Sequence, residues 1–101
     1  MYSSFDIIRQ AIRERKHLSF RYYALPREVE PMCLGETEPG KWQVRAHQIG
    51  GKSSSGRVGD GTPKLFEVAN MIDISVLPIG FHVPVFYRRG DTAFMHIDTE
   101  L

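Results

Sequence analysis

The chain has 101 residues and a mass of 11.6 kDa, a length that holds one hydrophobic core and excludes doubly wound nucleotide-binding sheets and most large-enzyme architectures. Hydrophobic residues at 42% and charged residues at 25% match an ordinary globular chain rather than a disordered or membrane-spanning one. Thirteen Lys and Arg against twelve Asp and Glu leave a formal net charge of +1, so any contact with nucleic acid must come from a local patch.

Residues 4–16 carry the helical pattern, with Phe5, Ile7, Ile8, Ala11 and Ile12 gathered within an arc of about 160° at 100° per residue. Ser3 or Ser4 suits the N-cap, Asp6 the first turn, and Arg15 and Lys16 the C-terminal end. Arg9, Arg13 and Lys16 then form a basic ridge beside the apolar arc, either a solvated face or a phosphate contact. Asp6, Arg9, Arg13 and Arg15 also interrupt any signal-peptide core, and no apolar run approaches ~18 residues, so no membrane partner and a cytoplasmic location are expected.

From His17 the period becomes two: Leu18, Phe20 and Tyr22 share one strand face, and Ser19, Arg21 and Tyr23 the other. A turn at Ala24-Leu25-Pro26 leads to a second strand over 27–34, in which Pro31 requires an edge or a bulge. Its Cys33, the only cysteine, excludes an internal disulfide, and between Met32 and Leu34 it reads as a small buried hydrophobe rather than a nucleophile. Glu28 and Glu30 share a face on which alternating acids usually meet water. After a turn over 35–40, residues 41–49 form a strand with Trp42, Val44 and Ala46 inward and Lys41, Gln43, Arg45 and His47 outward.

Residues 50–63 hold five glycines and three serines, which predicts a mobile loop. Gly51-Lys52-Ser53 satisfies the loosest phosphate-loop pattern, but no helix follows to supply the amides. Strands follow at 65–68 and 72–77, the latter with Ile72, Ile74 and Val76 alternating, and 85–87 pairs with 92–97 as a hairpin turning at Gly90. The predicted core is Phe20, Tyr22, Trp42, Val44, Phe66, Val68, Ile74 and Val76. His17, His47, His82, His96 and Cys33 are too scattered for a zinc motif, so neither metal nor cofactor is expected. What remains is an aromatic and basic set, Arg21, Tyr23, Arg27, Trp42, Gln43, Arg45 and His47, with Lys52 and Arg57 in the loop, suited to stacking bases and pairing phosphates.

In order, Ile8-x2-Ala11-Ile12, Leu18-Ser19-Phe20-x-Tyr22, Arg27-x-Val29-Glu30-Pro31, Leu34-Gly35, Gly40-Lys41-Trp42-Gln43-Val44-x-Ala46, Leu65-Phe66-Glu67-Val68 and Met71-Ile72 resemble the WYL domain over about residues 5–78. The naming tripeptide stands here as Trp42-Gln43-Val44, and Asn70 stands where members usually carry an arginine of the ligand surface. The resemblance implies a mainly β fold: a helix over 4–16, a bent five-stranded SH3-like or Sm-like barrel over 17–77, and here a C-terminal hairpin extension over 78–101, all one domain. It further implies a bacterial or phage regulator, a stand-alone non-enzymatic sensor of single-stranded nucleic acid or a nucleotide-like ligand. The ligand residues would be Arg21, Arg27, Trp42, Gln43, Arg45, His47 and Asn70, with Arg21, Arg45 and His47 beside Arg27 in one positive patch. The alternative is an interaction module whose barrel edge and hairpin mediate homo-oligomerisation, and a hydrolase or transferase is the third reading.

Overall fold

The computed structural model describes residues 3–51 and 62–101. Helix α1 spans Ser4–Glu14, and Ser3 caps it: its hydroxyl accepts from the Asp6 amide at 3.2 Å, while the Asp6 carboxylate accepts from the Ser3 amide at 3.3 Å. Ile8, Ala11 and Ile12 are buried, with Phe5 and Ile7 packed beside them. The helix stops short of the predicted Lys16 because Arg15 turns left-handed, at φ 52°, to satisfy the last carbonyls. Lys16 therefore opens the next strand. The expected basic ridge is broken a second time at Arg9, which binds the Asp98 carboxylate through Nε at 2.8 Å and Nη2 at 3.0 Å.

The strands are β1 (Lys16–Tyr22), β2 (Leu25–Glu38), β3 (Lys41–Gly51), β4 (Lys64–Glu67), β5 (Met71–Gly80) and β6 (His96–Glu100), with a 3-10 turn at Val68–Asn70 between β4 and β5. All pairings are antiparallel, in the order β4-β3-β2-β1-β5, with β6 added to β2. Among the described residues no ladder joins β4 to β5; the structure shows a mainly β, antiparallel sheet with one N-terminal helix.

Strand β2 is longer at both ends than the predicted 27–34 because it is paired throughout. One edge follows β3; the other meets β1 over Leu25–Val29 and β6 over Cys33–Glu36. Pro31 sits between these two partners, beside a register shift toward Cys33, which is the bulge that a proline in a paired strand demands. Gly35 stays in the strand, since an added Cβ there would lie 2.1 Å from the His96 carbonyl oxygen: its missing side chain is what admits β6.

Two further expectations fail. In β5 the register against β1 slips between Ile72 and Ser75, and Asp73 adopts φ 55°. This bulge shifts the phase between Met71 and Ile74, so Met71 faces the core and Ile72 is 58% exposed, while Ile74 and Val76 keep the expected inward phase. The C-terminal hairpin does not form either. Residues 85–86 are turn, and β6 pairs with β2, whose vacant edge and Gly35 offer its backbone groups more partners than an isolated hairpin would. Gly90 does take the left-handed conformation, at φ 78°. Residues 81–95 instead run across the second face of the sheet, from Phe81 beside His17 to Asp91 against Arg45. The loop expected within 50–63 lies, over 52–61, outside the described residues. Among the described residues no helix is long and apolar enough to cross a membrane.

The core joins α1 to Leu18, Phe20, Val29, Leu34, Val44, Ala46, Phe66, Val68 and Met71, with Tyr22, Trp42, Ile74 and Val76 packed against it. Phe20 meets Phe66 edge-on at 5.2 Å. Phe20→Ala is expected to cost about 3–5 kcal/mol, most of the margin of a small domain, and a denaturant titration will measure it. Gly35→Ala is expected to act locally: hydrogen exchange should show protection lost over residues 95–101 while β1 and β3 keep theirs.

Candidate functional site

Because Tyr22 opposes Leu25 and Arg21 opposes Pro26, β1 and β2 are joined by a two-residue turn, Tyr23-Ala24. Both residues are left-handed, at φ 51° and 64°, as the twist of such hairpins requires but as neither side chain favours. Arg21 Nη2 donates to the Ala24 carbonyl at 2.9 Å and closes the turn. The Tyr23 ring stands 66% exposed with the Tyr22 ring 4.7 Å behind it. Its hydroxyl accepts from Asn70 Nδ2 at 3.0 Å, and the Tyr22 hydroxyl accepts from the Glu67 amide at 3.0 Å. Asn70 also donates to the Glu67 carboxylate at 3.3 Å.

Behind this turn lies Arg27. Its register opposite Phe20 puts it on the inner face, where it is 5% exposed, with the guanidinium 5.4 Å from the Tyr22 ring centre and 5.8 Å from that of Phe66. Nη1 donates to Gln48 Oε1 and Nη2 to the Tyr22 carbonyl, both at 3.3 Å. Nε has no partner, and no carboxylate pairs with the side chain, among the described residues. Burial lowers the Arg27 pKa from the usual arginine value, yet an arginine remains a cation at neutral pH.

The other proposed ligand residues lie elsewhere. Arg45 and His47 are on the second face: Arg45 Nε donates to Asp91 at 2.8 Å, and His47 Nδ1 lies 3.4 Å from Glu30. His17 Nδ1 is 2.7 Å from Glu28, so the two acids expected to meet water form a histidine–carboxylate row across three strands. Trp42 and Gln43 are at the far end of β3. The indole meets Phe5 edge-on at 5.1 Å and lines a cleft of about 350 Å³ with Glu67, Val68 and Met71, while Gln43 Oε1 accepts from the Thr37 hydroxyl at 2.8 Å. The structure thus sets Arg21, Arg27 and Asn70 at one end of the sheet, with Arg21 on the face opposite to the one Arg27 enters, and separates Arg45 and His47 from them. The single positive patch does not form, because Arg27 points inward and Asp91 neutralises Arg45. Tyr22, Gln48 and Phe66 complete the Arg27 surroundings; the alternation that places Val44 and Ala46 inward carries Gln48 inward at the next step.

Cys33 is fully buried, and that burial pushes its thiol up to about 12, which leaves it an unreactive packing group. No group of three His, Cys, Asp and Glu side chains is arranged to hold a metal among the described residues.

The chain matches no known family profile and no curated protein. It is similar to part of a solved structure, Proteasome accessory factor B/C (PafBC) of Arthrobacter aurescens, at 27% identity over 85% of this chain with a TM-score of 0.63. It spans 13% of that protein's length. The likeness supports a WYL-like fold.

The clasps holding residues 81–101 over the sheet are carboxylates. Arg9 lowers the pKa of Asp98, and Arg45 lowers that of Asp91, in both cases chiefly by hydrogen bonding the ionised form. A folded-state value below the unfolded one stabilises the fold above the ordinary aspartate pKa, about 3.9, and that stabilisation is lost as pH falls through the lowered value. Amide protection factors over 91–101 should therefore fall as pH drops below about 4, and Asp91→Asn with Asp98→Asn should lower them already at pH 7.

Proposed function

We propose that this chain is a non-enzymatic regulatory sensing module of the WYL type, which binds single-stranded nucleic acid or a nucleotide-like anion at the β1–β2 turn. The observation that carries the reading is Arg27, a buried cation compensated by two rings and two neutral oxygens and by no carboxylate among the described residues. Such a charge raises the positive potential at its end of the sheet, and the low-dielectric surroundings strengthen it. Tyr23 supplies an exposed face on which a base can stack, Arg21 a second cation, and Asn70 a fixed amide beside the ring. The likeness to a protein named as an accessory factor supports a regulatory part over a catalytic one. In the same reading the sheet is the bent barrel of the SH3-like or Sm-like type and the module works in the cytoplasm.

A second reading, an interaction module that forms homo-oligomers, is favoured by the exposed Val83 and Val85.

Titration of a labelled single-stranded oligonucleotide at several salt concentrations tests the first reading. Binding is expected to be weak, with a log–log salt slope of about 0.7 per phosphate contacted. Tyr23→Ala should weaken it roughly tenfold or more, the scale of one lost stacking contact. Asn70→Arg should strengthen it and steepen the slope. Absence of binding even at low salt, with self-association in sedimentation, would establish the interaction module instead.

A further inference from the structure

Residues 86–92 wall a cleft of about 440 Å³ on the second face of the sheet, away from the Tyr23 turn. Its floor is the buried Met32, its sides are Phe86 and Tyr87, and its rim carries Arg45, Arg88 and Arg89. We propose that this cleft is a second ligand site, which takes a planar aromatic ring bearing one negative charge. The inference is independent of the reading given above for the β1–β2 turn.

Three observations converge on it. First, the walls are fixed before any ligand arrives: Asp91 is held by Arg45, and Glu100 accepts from the Tyr87 hydroxyl at 2.8 Å and from the Gly90 amide at 3.1 Å. A preformed cleft avoids the ordering cost that weakens binding to a loose loop. Second, Phe86 remains 52% exposed at the lip although the cleft beside it is apolar, so a flat ring seated there would remove apolar area from water on both of its faces. Third, the rim charges do not cancel. Arg45 pairs with Asp91 and Arg89 with Glu100 at 3.3 Å, whereas Arg88 has no partner among the described residues. One unopposed guanidinium selects a monoanion, and its planar fork suits a carboxylate or a phosphodiester alike.

The two anion sources are separated by the choice of probe. Adenosine 3′,5′-cyclic phosphate carries one phosphodiester charge and indole-3-acetate one carboxylate charge; adenosine and indole are their neutral counterparts. With the full chain, binding is followed by amide chemical shifts. At least one of the two anions should move the amides of residues 86–92 while leaving those of Tyr23 and Asn70 in place, and the one that does so names the anion class. Its neutral counterpart should bind at least tenfold more weakly. Arg88→Ala should weaken the anion roughly tenfold, the scale of one lost charged hydrogen bond, and Phe86→Ala should weaken both the anion and its counterpart. Each variant's unchanged spectrum away from the cleft shows that it is folded. The proposal is overturned if neither anion binds at millimolar concentration, if the neutral compound binds as tightly, if Arg88→Ala changes nothing, or if the shifts fall at Tyr23 instead. That last result would leave the reading of the turn standing while removing this one.

Discussion

The pairing of both edges of β2 is the constraint from which the rest of the molecule follows. A strand of 14 residues with β3 along one side needs a partner along the whole of the other, and no single neighbour supplies it. β1 covers the first part and β6 the last, and the changeover falls at Pro31, where a missing amide and a register shift are tolerated together. Five consecutive residues, 31–35, are buried there, which is possible only because both faces of the sheet are covered at that point. The helix covers one face; the segment after β5 covers the other.

This second cover decides the electrostatics. Alternation alone exposes the face that carries Arg45, His47, Glu28 and Glu30. The structure lays residues 81–95 across it, where Asp91 pairs with Arg45, while His17 and His47 pair with Glu28 and Glu30 from within the sheet itself. Arg27 takes the opposite course, entering the apolar side beside Phe20 and Phe66, where rings and amide oxygens replace its hydration. A net charge of +1 hides this sorting, because it counts paired, solvated and buried charges alike.

The local parts of the fold were legible in the sequence for physical reasons. The capping residue, the apolar stripe of α1, the inward phase of Phe20, Val44 and Phe66, and the bulge at Pro31 all follow from chemistry within a few residues. What escaped depends on partners distant in the chain. The exposure of Ile72 in β5 rests on one residue, Asp73, at positive φ, which has no glycine to announce it. The same holds for Tyr23-Ala24, a turn without the Asn-Gly signal that usually marks it. β6 was read as half of a hairpin because its true partner lies some 60 residues earlier, at Gly35. Of the candidate site, the residue types Arg21, Arg27 and Asn70 were readable, but their separation from Arg45 and His47 required knowing which way β2 faces and what lies over β3.

The bond between Arg9 and Asp98 spans 89 residues, almost the entire chain. On the folding pathway such a contact cannot form early, since closing so long a loop brings no reward until β2 is already in place to receive β6. The order of assembly is therefore built into the topology: hairpins among β1, β2 and β3 first, the helix against them, and the last strand closing over a preformed edge. During synthesis that edge stays open until β6 has emerged from the ribosome and docked, so the risk of mispairing with another chain persists through that step.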